Sequence, residues 1–492
     1  MLRKLEIPVI VLVVVVIAAG LRFFGLEYQS LWSDEMFSIG ISRDHGLLDI
    51  IQLTGADVHP PGYQILLAIF IKLFGDSEAG TRLLSALAGT FSVYVIYLLG
   101  KQLFSVKEGI LAAAILCISN QAIFYSQEAR SFSLLLLSVL VCALLFQRIL
   151  DDIKKTDSPN KNLKYSYIAS CIFTMYVHYY GLLFIMLQTI ATIIFFYSNK
   201  PKLFSFIKLY LIIYAFLLPW IPTLANQLHI KQFWIPEPTI RMVAEYVFFV
   251  FNNSLLAAII AVFIIGVGLI LAGLKFNSKF KSCQVSDILQ SPYTLLIFWF
   301  FTPIVLTYIK SILSTPILTH RNLIICFPPA YLLLSRSIVI IVDSMVNKKL
   351  VNNTLISLVS IAIVVYGLQS LLKGGYYENP NKAQYREPVK DIVQHNFFYP
   401  NPKLIATDSW FDFYLNKKNI KTDLLARNEE DLTKIEDVVK DAGYFWYLEG
   451  HGIPDLSPLY NKLSEEYEKV TTIKYYMTKI TLFKKREGIK GA

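Results

Sequence analysis

Of 492 residues, 55% are hydrophobic and only 17% charged, with a mean hydropathy of +0.50; soluble domains carry about 25% charged residues, so a water-soluble globular chain is excluded. The formal net charge of +10 does not point to nucleic acid, because the excess sits in short clusters between apolar runs, where it orients a membrane protein. Five cysteines with no CxxC pair and no His/Cys cluster indicate neither a zinc site nor a disulfide framework.

Arg3 and Lys4 precede an apolar run from Ile7 to Leu21 that resembles the start of a signal peptide, with Ala18-Ala19-Gly20 as a small-residue stretch. The next polar interval has to stay tethered, so an uncleaved first membrane helix is expected. That interval contains Leu31-Trp32-Ser33-Asp34-Glu35 and then Asp57-Val58-His59-Pro60-Pro61-Gly62-Tyr63. Adjacent carboxylates followed by a His-Pro-Pro are costly to hold against a bilayer. Ser33 as a helix cap, with both acids in the first turn, is the plain alternative. Against it stand the placement between apolar segments and the recurrence of polar sites later in the chain. The segment from Gly62 to Phe74 would cover only ~20 Å as a helix, too short for a hydrocarbon core of about 30 Å. It is expected to lie along the interface, started by Pro61, with Gln64, Ala68 and Lys72 on one stripe and Asp57 and His59 at its positive end.

On a requirement of about 20 apolar residues per span, roughly eleven spans are expected. They lie near 7–25, 82–104, 109–125, 131–150, 165–180, 181–198, 204–222, 244–272, 293–310, 321–342 and 353–372. Lysine and arginine fall in alternate loops, at Arg3 and Lys4, Lys101 and Lys107, Arg148 to Lys164, Lys200 to Lys208, Lys275 to Lys281, and Lys348 and Lys349. The positive-inside rule places these loops and the N-terminus in the cytoplasm. The opposite loops collect the unusual residues: Asp34, Glu35, Asp57 and His59; Tyr125, Glu128 and Arg130; His178, Tyr179 and Tyr180; Lys310, His320 and Arg321. Trp234, between Phe233 and Pro236, reads as an interfacial anchor.

From about Lys373 turn-forming clusters and charge become frequent. Helices are expected at Pro388 to His395, Glu429 to Asp441 and Pro458 to Tyr467. Strands are expected at Lys403 to Thr407, Tyr444 to Leu448 and Lys469 to Phe483, the last as a strand or hairpin. The fold class is therefore an α-helical polytopic membrane protein, residues 1–372, whose first outer loop spans 25–81, with a small α/β domain, residues 373–492, outside the membrane.

Group transfer from a lipid carrier needs a base for an acceptor hydroxyl and cations for the leaving phosphate. Asp34 and Glu35 supply the acids, and Arg130 and Arg321 carry the bidentate fork suited to phosphate, with Lys310 and His320 nearby in sequence. Snorkelling at an interface is the ordinary use of a single terminal arginine; the coincidence with acids on one side favours a site for the set. Tyr125, Glu128 and Arg130 within six residues offer stacking and hydrogen bonds for a sugar. His178 is more often a packing histidine than a ligand. A divalent cation could sit among Asp34, Glu35 and His59, although no ligand spacing demands one.

The motifs Leu31-Trp32-Ser33-Asp34-Glu35, His59-Pro60-Pro61-Gly62-Tyr63, Leu73-Phe74-Gly75 and Arg82-Leu83-Leu84-Ser85-Ala86-Leu87 resemble the dolichyl-phosphate-mannose protein mannosyltransferase (PMT) superfamily. The resemblance is to its bacterial and archaeal membrane glycosyltransferases of GT-C type, and it covers about residues 20 to 200. It implies an inverting enzyme with a polyprenyl-phosphate-linked sugar donor, a glycan, lipid or protein acceptor, and an active site on the non-cytoplasmic face of a prokaryotic plasma membrane. On this resemblance Asp34 matches the catalytic aspartate and Glu35 its partner acid. Asp57, His59 and Tyr63 belong to the His-Pro-Pro element, and Arg130 closes the Ser-x-Glu-x-Arg element. Arg321 resembles a late arginine that meets the lipid phosphate. Asn322 stands where relatives often have Tyr, and Gly62 where Leu is frequent. The competing reading is a transporter or flippase of lipid-linked glycans, which would carry midplane ionisable residues in broken helices and paired repeats.

Overall fold

Apolar runs become helices, and the polar breaks between them fall where freed backbone groups find partners. The computed structural model describes residues 8–156, 160–229, 235–279, 288–346, 348–396, 399, 401–427, 429–450 and 463–486. Arg3, Lys4, Phe233, Trp234, Lys281, Cys283 and most of the helix expected at 458–467 lie outside the described residues.

Seven helices among the described residues are long and apolar enough to cross a membrane: Glu78–Leu103, Phe132–Ile153, Tyr179–Phe196, Leu255–Leu274, Pro292–Leu313, Asn322–Met345 and Lys349–Lys373. Two bent pairs, Val106–Cys117 with Asn120–Ser126 at 64° and Lys200–Ala215 with Leu218–Gln227 at 41°, bring the number to nine. The other two segments expected to span form shorter helices, Val9–Phe23 of 15 residues and Lys161–Val177 of 17. The run at 244–272 is divided into Ile240–Val250 and Leu255–Lys279. Asn252 and Asn253, with φ of 61° and 56°, take the left-handed backbone that ends the first helix.

The same Asn252 explains the sharper of the bends. Between Val106–Cys117 and Asn120–Ser126 the helical ladder is interrupted, and unpaired N–H and C=O groups inside a membrane cost several kcal/mol each, roughly. Asn252 accepts a hydrogen bond from the Asn120 amide at 2.8 Å and donates to the Ile118 carbonyl at 3.3 Å. Arg22, fully buried, donates to the Leu116 and Cys117 carbonyls at 3.0 and 3.2 Å. Tyr331 donates to the Ser119 hydroxyl at 3.0 Å. Gln127, just past the bent pair, donates to the Phe24 carbonyl at 2.7 Å and ties the turn to the first helix.

The first polar interval folds into three short helices: Ser33–Arg43, Leu47–Ala56 and Gly62–Phe74. Pro61 takes the N-cap of the third rather than its first turn. Gln64 and Ala68 of the polar stripe are buried together with Tyr63, Leu67 and Ile71, while Lys72 at its end is exposed with Ile69, Leu73 and Phe74, so the inward face is mixed and the outward side largely apolar. A Cβ on Gly62 would sit 2.5 Å from the Tyr176 carbonyl oxygen. That approach is closer than any side chain permits, which accounts for Gly62 in place of a larger residue.

Two compact units are distinguished: one of residues up to Phe24, Ile41–Asp76 and Gly80–Leu371, the other of Gly25–Gly40, Ser77–Ala79 and the residues from Leu372 on. The second unit holds a five-stranded sheet of β1 (Lys403–Ala406), β2 (Leu424–Leu425), β3 (Tyr444–Glu449), β4 (Tyr467–Tyr475) and β5 (Thr478–Lys485), in the order β2-β1-β3-β5-β4. Strand β1 runs parallel to β2 and β3, while β3, β5 and β4 pair antiparallel. Central β3 is buried on both faces. Phe445 and Tyr447 pack with Ile435 and Val439 of helix Glu429–Val439, and Trp446 donates to Asn396 at 2.9 Å on the other side. The short strand β2 and the helix Phe411–Asn416 were not expected from sequence, since neither is long enough to show a period.

The first-loop residues are stitched into this unit. Ser30 donates to the Ala383 carbonyl at 3.1 Å and accepts from the Tyr385 amide at 3.0 Å, and the Leu31 amide donates to the Tyr414 hydroxyl at 2.7 Å. Arg386 pairs with Glu78 at 3.1 Å and donates to the Tyr28 carbonyl at 2.7 Å. Glu35 and Lys382 are both buried and lie 3.5 Å apart.

Two stability outcomes follow from these contacts. Asn252→Ala, which strips partners from Asn120 and Ile118, should cost about 1–3 kcal/mol, read as a lower thermal midpoint of the detergent-solubilised protein. Lys382→Met should destabilise by about 3–5 kcal/mol, because it leaves the Glu35 charge buried without this cation; adding Glu35→Gln should recover most of the loss, and an additive double variant would contradict the pairing.

Candidate functional site

The turn between Leu47–Ala56 and Gly62–Phe74 carries Asp57 and His59. His59 Nδ1 lies 2.7 Å from Asp57 Oδ2, and its Nε2 lies 3.5 Å from Arg130 Nη2. Because Asp57 can only accept, Nδ1 carries the proton, and Nε2 is left as the acceptor facing the guanidinium. Burial alone would raise the Asp57 carboxyl, but the hydrogen bond from His59 and the Arg130 charge hold it below the usual carboxylate range. Burial pushes His59 below the usual imidazole value, reinforced by Arg130 and Arg321 and opposed by the bond to Asp57.

Arg130 stands in the connection between Asn120–Ser126 and Phe132–Thr156, so Tyr125 lies in the last turn of the first helix while Glu128 and Arg130 lie in the turn between the two. Its backbone carbonyl accepts from Ser85 at 3.1 Å, and Ser85 in turn lies 3.4 Å from the Tyr63 hydroxyl. Tyr63 is 1% exposed; it supports the turn from beneath and does not present a ligand surface. Glu128 is buried beside Arg130. Tyr125 is also buried, its ring packed against Phe132 at 5.0 Å and Phe249 at 6.4 Å, and therefore belongs to an aromatic cluster.

His178 and Arg321 join the same group. His178 caps the helix Tyr179–Phe196, its Nδ1 accepting from the Tyr180 amide at 3.1 Å, and its ring lies edge-on to His59 at 5.9 Å. Phe132 connects the two, 6.0 Å from the His178 ring and with the Arg321 guanidinium 5.5 Å over its own ring. Tyr179 points elsewhere: its hydroxyl accepts from Trp220 Nε1 at 2.9 Å and bonds the Gln227 side chain. Gln227 then donates to the Gly55 and Asp57 carbonyls at 3.0 and 2.6 Å, fixing the turn that carries Asp57.

Lys310 and His320 are not part of this constellation. Lys310 Nζ caps its own helix, bonding Ser314 at 2.8 Å and the Thr315 carbonyl at 3.3 Å. His320 meets the Met242 carbonyl at 3.0 Å and packs on Tyr246 and Phe249. Asn322 donates to the Ile317 carbonyl at 3.4 Å and helps shape the loop before Arg321.

In the second unit, Asp34 and Glu35 occupy the first turn of Ser33–Arg43. The buried Glu35 carboxylate accepts from the Trp32 amide at 3.5 Å besides facing Lys382. Both acids thus lie in the first helical turn, as the plain alternative expects, but Ser33 is the first helical residue rather than the cap, and Asp34 is partly exposed. Among the described residues no group of three or more His, Cys, Asp or Glu side chains is arranged to hold a metal ion.

Sequence reasoning missed Trp220, Gln227, Phe132 and Lys382. Each is neutral or lies in a plain apolar or tail context, so only the fold reveals it. A cavity of about 780 Å³ near Gln147, Tyr197, Lys202 and Gln290 has no carboxylate among the described residues that line it.

The lowered pKa of His59 has a definite sign for stability. A native imidazole titrating below its unfolded value of about 6.5 contributes stability that is present above that pH and lost as pH falls through it. The thermal midpoint should therefore drop between about pH 7 and 5.5, and His59→Gln should flatten that part of the profile; an unchanged slope would refute the assignment.

Comparisons with known proteins agree with this architecture. The family model described as dolichyl-phosphate-mannose-protein mannosyltransferase matches residues 58–225. No curated protein matches the sequence. Among solved structures, ArnT from Cupriavidus metallidurans in the apo state is 12% identical with a TM-score of 0.60, covering 96% of this chain and 97% of that one. Its form bound to undecaprenyl phosphate is 13% identical with a TM-score of 0.55, over 96% and 97%. The Archaeoglobus fulgidus oligosaccharyltransferase in complex with Zn and sulfate is 12% identical with a TM-score of 0.52, over 89% and 67%. Residues 58–225, which include the His-Pro-Pro and Arg130 elements, thus resemble the dolichyl-phosphate-mannose-protein mannosyltransferase family, and nearly the whole chain shares the fold of ArnT.

Proposed function

We propose that the chain moves a sugar from a polyprenyl-phosphate-linked donor to an acceptor hydroxyl, inverting the anomeric centre, on the extracytoplasmic side of a prokaryotic plasma membrane. The observation that carries the reading is the convergence of Arg130 and Arg321 on the Asp57–His59 turn, in a fold shared with a protein solved bound to undecaprenyl phosphate. Two guanidiniums beside a neutral imidazole supply the cationic donors that a departing phosphate requires, with Asp57 and Glu128 as the acids of the same cluster. The alternation of basic loops supports a cytoplasmic N-terminus and an extracytoplasmic second unit.

In the proposed reaction Asp34 takes the proton of the acceptor hydroxyl, whose oxygen attacks the anomeric carbon. The bond from that carbon to the phosphate oxygen breaks, and the electron pair leaves with polyprenyl phosphate. Arg130 and Arg321 hold the phosphate, and Asp57 and Gln227 position His59 and, through it, Arg130. Glu35, tied to Lys382 and the Trp32 amide, holds the turn on which Asp34 stands. Phosphate is a good leaving group, so no general acid is invoked.

Purified protein in lipid nanodiscs, supplied with a polyprenyl-phosphate sugar and candidate acceptors, tests the proposal. Asp34→Asn should lower turnover by about 10²–10⁴-fold with donor binding retained; undiminished turnover would remove Asp34 as base.

A further inference from the structure

A groove of about 470 Å³ separates Leu47–Ala56 from the short helix Ile221–Gln227. Gln52, Trp220, Thr223, Asn226 and Gln227 line it with the small apolar patch of Ile51, Gly55 and Ala56, and none of the described residues lining it carries a charge. Its size falls within the range of about 300–1,000 Å³ usual for small-ligand sites.

One side of the groove is built and rigid. Trp220 donates to Tyr179, Tyr179 bonds Gln227, and Gln227 holds the Gly55 and Asp57 carbonyls. Gly55 matters here because a Cβ would come within 3.0 Å of Thr223 Cγ2 and 3.5 Å of the Trp220 ring; the missing side chain lets the two helices meet at the floor. The mouth is different: Gln52 and Asn226, which line it, are exposed.

The chemistry of the lining selects the ligand. A phosphate would call for arginine or lysine, and an isoprenoid or acyl chain for an apolar wall. The Gln52 and Asn226 carboxamides and the Thr223 hydroxyl, each able to donate and accept, beside the Trp220 ring, match a neutral polyhydroxylated ligand. We infer that this groove is a subsite for a neutral saccharide, holding a sugar of the acceptor that does not itself react. The inference rests on the proposed transferase reading, and the hydrogen bond from Gln227 to Asp57 places the groove directly behind the Asp57–His59 turn.

Saturation-transfer NMR on the detergent-solubilised full chain tests it, with neutral hexose and N-acetylhexosamine oligosaccharides as probes and sialylated counterparts for comparison. Asn226→Trp fills the groove from an exposed position, and the Gln52→Ala/Asn226→Ala double variant removes the mouth carboxamides. Neutral probes should give saturation transfer with the parent protein, about fivefold weaker in both variants, as expected for losing about 1 kcal/mol of hydrogen bonding. Sialylated probes should bind more weakly than neutral ones. Equal signals in parent and variants, or no signal from any neutral probe, would overturn the inference. Polyprenyl phosphate binding, measured on the same samples, should be the same in all three proteins. Its loss in Asn226→Trp alone would assign the groove to the donor and overturn the inference; its absence in the parent would count against the transferase reading, with the saccharide signals still deciding the groove.

Discussion

A broken helix inside an apolar bundle is the constraint on which the first unit depends. Between Val106–Cys117 and Asn120–Ser126 the ladder stops, and in a membrane water is not there to satisfy what is freed. Arg22 and Asn252, far apart in sequence, supply the missing bonds. The 64° bend they stabilise turns the following residues back into the bundle, so that Arg130 emerges beside His59 instead of at the end of a straight span. A charge that is rare within apolar segments is thus used structurally at Arg22 and kept for the site at Arg130.

Around that turn the polar groups are layered. Tyr63 and Ser85 support the Arg130 backbone from below, while Gln227 holds the backbone of Asp57 from the side. Asp57 orients His59, and His59 meets the guanidinium. Buried polar networks of this kind fix one geometry when their members are satisfied. The aromatic ring of Phe132 joins Arg321 and His178 to the group without adding charge.

The second unit shows a different economy of parts. A sheet buried on both faces of β3 supplies the stable body, and residues 25–40 are held to it by Ser30, Leu31 and the Glu35–Lys382 pair. Asp34 therefore stands on a helix turn whose neighbour is anchored in low-dielectric surroundings. Glu35 serves that anchoring, which separates the tasks of two acids that are adjacent in the chain.

The sequence by itself determined the class of fold, because apolar runs of membrane length and alternating basic loops are local properties that no packing is needed to read. The short helix Gly62–Phe74, the central strand Tyr444–Glu449 and the motifs around Asp34, His59 and Arg130 were visible for the same reason. Tertiary structure decided the rest. Lys310 turned to its own helix end, Tyr63 and Tyr125 went into packing, and Gln227 and Lys382 gained importance through partners 170 and 347 residues away. Residues 25–40 joined the distant tail because their hydrogen-bond partners lie there. A side chain's task is set by what surrounds it in space, and long-range pairing of polar groups leaves no periodic trace along the chain.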